Sequence, residues 1–117
     1  NLDILNVRAE DLAKEKRECF DVVSARAVAK LSILLELCVP FVKMNRTMVA
    51  LKGKNGHEEL LNAKKAIDTL GVELVDEEKF MIEEDATRIN LYFKKVKHTP
   101  SKYPRAYGQI KKKPLEG

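Results

Sequence analysis

Three polar residues follow apolar runs closely enough to be delivered to one place. Glu10 follows Leu2-Asp3-Ile4-Leu5-Asn6-Val7, Arg26 follows Phe20-Asp21-Val22-Val23-Ser24, and Lys52 follows Thr47-Met48-Val49-Ala50-Leu51. Ligands of open α/β sheets bind outside the carboxyl ends of the strands. A carboxylate, a guanidinium and an ammonium at three such exits would share one crevice. Arg26 is the first functional candidate, because a guanidinium is always charged and offers five donors in a fixed fork. Taken singly, each could equally serve a surface salt bridge.

Sequence motifs for other chemistries are missing. The chain has no GxSxG, HExxH, P-loop or GxGxxG pattern. Lys52-Gly53-Lys54-Asn55-Gly56 lacks Walker spacing and reads as a strand-exit turn. The two histidines, His57 and His98, read as solvated or structural. The acidic runs Glu58-Glu59, Glu77-Glu78 and Glu83-Glu84-Asp85 read as surface charge, so no acid/base dyad is evident. Cys19 and Cys38 have no CxxC spacing and no paired histidine. They read as reduced core thiols of a cytoplasmic protein, and zinc is not expected.

The elements that must position the three residues follow from periodicity. Leu2–Val7 and the continuous apolar run Phe20–Ser24 read as strands, with a charged, helix-prone stretch from Asp11 to Glu18 between them. Ala27–Val39 is the clearest helix: Val28, Leu31, Leu35 and Cys38 form a stripe widened by Leu34, with Lys30 and Glu36 on the outer side and Pro40 at the end. Met44-Asn45-Arg46 reads as a turn before the strand Thr47–Leu51. His57–Leu70 reads as a second helix ended by Gly71. Val72–Ile82 is β-prone, and Thr87–Val96 alternates Ile89, Leu91 and Phe93 against Asn90, Tyr92 and Lys94. This order predicts an α/β fold with a mostly parallel sheet and an antiparallel final pair at one edge.

The 117 residues carry a net charge of +4, unevenly spread. From Lys94 onward eight basic residues face Glu116 alone, so the body is mildly acidic and the end strongly basic. Residues 1–97 read as the folded part, and residues 98–117, with Pro100, Pro104, Gly108 and Pro114, as an extended basic tail suited to nucleic acid or another anionic surface. No apolar run reaches the roughly 18 residues that span a bilayer. The chain opens on Asn1 directly in an apolar run, as if in mid-domain.

Val7-Arg8-Ala9-Glu10, Phe20-Asp21-Val22-Val23-Ser24-Ala25-Arg26-Ala27, Ala50-Leu51-Lys52-Gly53 and Lys102-Tyr103-Pro104-Arg105 occur in that order. Together they resemble the carboxyl-terminal part of the glucose-inhibited division protein B family. That family comprises bacterial S-adenosylmethionine-dependent methyltransferases acting on N7 of a guanine in 16S ribosomal RNA. The resemblance implies a Rossmann-like methyltransferase fold, with strand order 3-2-1-4-5-7-6 in the whole domain and strands 3–7 in this chain. It implies that Ala9, Glu10 and Arg26 meet the cofactor S-adenosyl-L-methionine. It also implies that the partner is 16S ribosomal RNA or a small ribosomal subunit precursor. Lys52, Lys102, Tyr103, Arg105, Lys111, Lys112 and Lys113 then suit RNA, the cations for phosphate and Tyr103 or Tyr107 for stacking.

The chain departs from the family pattern at Met44-Asn45-Arg46, where a Gly-Gly turn is usual, and Asn45 is expected to supply the positive φ. The family's Gly-rich cofactor loop and first two strands would precede Asn1, so residues 1–117 alone are expected to be inactive. The edge of Phe20–Ser24 would then be covered either by Leu2–Val7 or by a second copy of the chain. The competing reading is a non-enzymatic RNA-binding module derived from a methyltransferase half.

Overall fold

The computed structural model describes residues 2–3, 16–26, 30–83 and 86–116. Its five strands are β1 (Leu2–Asp3), β2 (Phe20–Arg26), β3 (Val42–Lys52), β4 (Val72–Glu83) and β5 (Ala86–Lys95). They form one sheet in the order β1-β2-β3-β5-β4. β1 pairs with β2 and β2 with β3 in parallel, while β5 is antiparallel to both β3 and β4. Four strands therefore point one way and β5 alone runs back, as the strand–helix alternation predicts. Of the two ways to cover the edge of β2, the chain uses its own first strand, Leu2 lying opposite Val23.

The helices are α1 (Leu31–Cys38), α2 (Gly56–Asn62), α3 (Lys64–Leu70) and α4 (Tyr107–Lys112). A 3₁₀ turn, Val39–Phe41, takes in Pro40 and ends α1. Residues 27–29, the expected first turn of that helix, lie outside the described residues, as do residues 4–7 of the expected first strand. The helix expected over His57–Leu70 is divided at Ala63, whose ψ of 9° leaves the helical range. The expected turn Met44-Asn45-Arg46 falls inside β3 as an irregularity: Phe20 pairs with Val42 but Val22 with Thr47. Asn45 takes φ +66° there, as expected for that residue.

The core lies between the helices and one face of the sheet. Val23, Ala25, Met48, Ala50, Ile89, Leu91 and Phe93 are buried on that face, against Leu31, Leu34, Leu35, Ala66 and Leu70. The opposite face, with Val22, Val49, Leu51 and Tyr92, is only half-buried.

The basic end is not an extended tail. Tyr103, Ile110 and Leu115 are buried, and residues 107–112 form α4. The cause lies in α1, whose Ser32, Ile33 and Glu36 are as buried as its Leu34 and Leu35. A helix apolar on every side must be covered on every side, and the segment after β5 supplies the cover. Arg105 joins the buried Glu36 through its own N–H (2.9 Å), Nε (2.9 Å) and Nη2 (2.7 Å). Ser32 Oγ donates to Glu116 at 2.8 Å. Arg17 donates to the carbonyls of Thr99, Pro100 and Tyr103. Residues 98–116 thus belong to the same core as the sheet.

Gly71 closes α3 with φ +86°, and its carbonyl accepts the N–H groups of Val96 and Lys97. A Cβ at this position would stand 2.6 Å from the Lys97 carbonyl oxygen. Gly71→Ala adds that clash to the left-handed strain and is expected to lower stability by at least about 1–2 kcal/mol, read from urea unfolding.

Candidate functional site

The carboxyl ends of β2, β3 and β4 meet the start of β5 at an open cavity of about 610 Å³. Arg26, Leu51, Lys52, Phe80, Arg88 and Asn90 line most of it. Register explains the convergence. Arg26 is opposite Leu51, Leu51 opposite Asn90, Asn90 opposite Glu78, and Phe80 opposite Arg88. Directly paired residues share a sheet face, so Arg26, Leu51, Glu78, Phe80, Arg88 and Asn90 stand on the half-buried face, turned away from the helices, while Lys52, opposite the buried Ile89, is on the helix-covered face. Phe80 and Ile82 leave 41% and 59% of their surface uncovered by this chain.

Arg26 is exposed at the last position of β2, the exit where the sequence places it. Neither its guanidinium nor that of Arg88 has an ion pair or hydrogen bond among the described residues. Two cations without a partner among the described residues, beside an aromatic face, suit an anionic or acceptor-rich planar ligand. Ala9 and Glu10 lie outside the described residues.

Lys52 is at the expected strand exit, but its side chain is 3% exposed. Its Nζ lies 2.8 Å from Glu59 Oε1, and the same oxygen accepts the N–H of Leu31 at 2.8 Å. Lys52 thus holds a carboxylate over the amino end of α1, where no side chain of the helix itself caps. That role fixes the start of α1, five residues beyond Arg26.

The basic residues after β5 divide. Tyr103 is 5% exposed, so its ring is committed to the core, and Lys102 Nζ lies 5.3 Å from the ring centroid. Arg105 is committed to Glu36, whose hydrogen bonds hold its guanidinium above the usual arginine value against the opposing effect of burial. Lys111, Lys112 and Lys113 are exposed, and the latter two line a second cleft of about 380 Å³ with Arg105 and Gln109.

A further charged cluster escaped the sequence reading. Lys95 is fully buried, its Nζ 2.7 Å from Glu18 Oε2 and 3.1 Å from the Val39 carbonyl. Burial pushes its ammonium below the ordinary lysine value, and the Glu18 hydrogen bond offsets this only in part. Burial also acts to raise the Glu18 carboxyl, but hydrogen bonds from Lys95 and His98 outweigh it and hold the group below its ordinary value. His98 Nδ1 lies 3.0 Å from Glu18 Oε1. The cluster ties the turn before β2 to the end of β5. Cys19 beside it is exposed rather than a core thiol, while Cys38 is buried as expected. Among the described residues no group of histidine, cysteine and carboxylates could hold a metal ion.

Phe80, Arg88 and Asn90 also escaped the sequence reading. The signal was the alternation of β5: Asn90 and Tyr92 were placed on one side, and Arg88 is the next residue back on that side.

The family model described as rRNA small subunit methyltransferase G matches residues 1–89. Among curated relatives, the Ribosomal RNA small subunit methyltransferase G of Geobacillus sp. (strain WCH70) is 47% identical over 93% of this chain and 47% of its own length. Those of Lysinibacillus sphaericus and Bacillus subtilis are 48% and 47% identical, over 99% and 100% of this chain and 50% of their own lengths. The chain therefore spans about half the length of the curated relatives it matches. Among solved structures, the fold resembles a methyltransferase from Pyrococcus furiosus, with TM-score 0.52 and 20% identity over 67% of this chain and 42% of that one. It also resembles M. jannaschii TYW2, with TM-score 0.50 and 18% identity over 70% and 42%. The sheet is thus part of a Rossmann-like methyltransferase fold, and the chain belongs to the rRNA small subunit methyltransferase G family.

Proposed function

We propose that this chain is part of a bacterial, cytoplasmic enzyme that transfers a methyl group from S-adenosyl-L-methionine to N7 of a guanine in 16S ribosomal RNA. The observation that carries the reading is Arg26, without an ion pair among the described residues, at the carboxyl end of β2, beside an open cavity, in a chain of this family. No helix among the described residues is long and apolar enough to cross a membrane.

The residues present fit the cofactor. Arg26 offers donors to a carboxylate, a ribose oxygen or a base edge; Ala9 and Glu10 are the other two residues that the family resemblance assigns to the cofactor. S-adenosylmethionine supplies an electrophilic methyl group on a cationic sulfonium. Arg26 would therefore hold the cofactor away from its sulfonium centre, since a guanidinium beside the sulfonium would oppose it. Guanine N7 carries a lone pair and no proton, so the chain needs no general base. Its residues act by orienting the two reactants and by the field they set up around them. Lys111, Lys112 and Lys113, exposed on and after α4, attract the phosphates of the RNA; Lys102 adds a fourth cation.

The test is methyl transfer from labelled S-adenosylmethionine to unmodified 16S ribosomal RNA by the full-length gene product. Label is expected at guanine N7, and Arg26→Ala should raise the KM for the cofactor at least about tenfold, the loss of one charge-assisted contact. Absence of label at any N7 in the RNA would overturn the reading.

A further inference from the structure

The face of the sheet that carries Arg26 also carries a second set of groups, and cofactor chemistry leaves them unexplained. Phe80 and Arg88 form a directly opposed pair on β4 and β5 at the cavity rim. Glu78, two residues before Phe80, is opposite Asn90 in the next row. Its Oε1 is held by Asn90 Nδ2 and by the Tyr92 hydroxyl, both at 3.1 Å. Oε2 of the same carboxylate accepts no hydrogen bond among the described residues. An exposed carboxylate oriented by two donors, an exposed aromatic ring and a guanidinium without a partner among the described residues thus occupy two adjacent rows of one ribbon.

We propose that Glu78, Phe80 and Arg88 seat a guanine nucleotide, the ring of Phe80 carrying the base, Arg88 its phosphate, and Glu78 its N1–H and N2 amino group. The assignment follows from the donor and acceptor pattern. A carboxylate only accepts, and guanine is the purine whose Watson–Crick edge donates from two adjacent atoms. Adenine presents a lone pair at N1, which the carboxylate repels. Unstacked bases are held against aromatic side chains, and Phe80 is 41% exposed with no aromatic neighbour among the described residues. Arg26 and Arg88 line one cavity, so an anion there relieves the repulsion between them, and the phosphate of a nucleotide supplies one.

The seat leaves the N7 edge of the base free, on the side opposite the edge that Glu78 grips. This deepens the proposed methyl transfer and rests on it: it identifies the part of the chain that presents the acceptor nucleotide. Glu78, Phe80 and Arg88 act as positioning residues, since none of them needs to exchange a proton with the reacting atom.

The experiment is NMR titration of the full-length gene product, selectively labelled at arginine Nε, asparagine and phenylalanine, with guanosine 5′-monophosphate, adenosine 5′-monophosphate and inorganic phosphate. The guanine nucleotide is expected to shift Arg88, Asn90 and Phe80 and to bind more tightly than the adenine nucleotide. Phe80→Ala should weaken it about tenfold, the usual worth of one base–aromatic stack. Glu78→Gln should abolish the preference for guanine while retaining phosphate-dependent binding, and Arg88→Gln should remove that dependence. Equal binding of the two nucleotides, or shifts confined to residues outside this ribbon, overturns the proposal. So do guanine-nucleotide shifts that survive Phe80→Ala and Arg88→Gln unchanged. Because no methyl group moves in this titration, its result stands apart from the transfer assay. Transfer without a shift at Arg88 sinks the seat alone, and a guanine-specific shift without transfer sinks the enzyme reading alone.

Discussion

Arg105→Ala is expected to cost the fold about 3 kcal/mol, the penalty for leaving a buried charge without its partner, and to lower Tm by roughly 10 °C. Glu36 is wholly buried in α1 and, among the described residues, accepts three hydrogen bonds, all from Arg105. Truncation leaves one of the three, from the residue 105 backbone, and strips both side-chain donors from an ionised carboxylate in the core. Arg105→Lys keeps the charge but loses the two-point grip, so an intermediate loss is expected. Glu36→Gln in the Arg105→Ala background should recover much of the loss, because a neutral amide tolerates the same pocket better. Urea unfolding of the three variants checks the order. A loss under about 1 kcal/mol for Arg105→Ala would show that solvent reaches Glu36 more freely than its burial indicates.

Removal of residues 99–116 is expected to abolish cooperative unfolding altogether. The cut takes Tyr103, Ile110 and Leu115 out of the core, uncovers one side of α1, and strips the acceptors of Arg17 and the partner of Glu36. An RNA-binding experiment on such a truncation would therefore report a lost fold. The exposed lysines allow a clean separation. Lys111→Ala, Lys112→Ala and Lys113→Ala together should leave the unfolding midpoint within experimental scatter. They should also reduce the slope of log K against log salt for RNA by about 2, some 0.7 per phosphate contact on a single strand. Filter binding of the full-length gene product over a salt series measures this. A truncated chain that still melts cooperatively, or a triple variant with an unchanged slope, contradicts the division drawn between the buried and the exposed part of this segment.

Much of the fold was legible because it follows from local pattern. The alternation of Ile89, Leu91 and Phe93 predicts which face of β5 is buried, and Gly71 marks the end of α3. The strand–helix order predicts parallel neighbours and a reversed last strand. The burial of residues 98–116 was not legible by the same route. Proline, glycine and lysine in that stretch argue for a solvated chain, and what overrides them lies some 70 residues away. A trace of it was present: Leu31-Ser32-Ile33-Leu34-Leu35-Glu36-Leu37-Cys38 has one charge in eight positions, too few for a helix with a wet side. Lys52 and Arg105 look identical to phosphate-binding cations in sequence, and only the presence of Glu59 and Glu36 at the other end of each side chain reveals their structural work. Conversely, the acidic run around Glu78 reads as plain surface charge until Asn90 and Tyr92 are seen to hold it.

The pairing of Glu36 with Arg105 has a consequence for the order in which the protein is made. Synthesis delivers the amino-terminal side first. The helix with the buried carboxylate emerges long before the arginine that neutralises it, and the seal over Ser32 waits for Glu116. Contacts this distant in sequence slow folding, since the loop must close before any of them forms. The nascent chain must therefore hold this helix uncovered until residues 105–116 have left the ribosome, and the arrival of those residues decides whether the helix made before them is ever sealed.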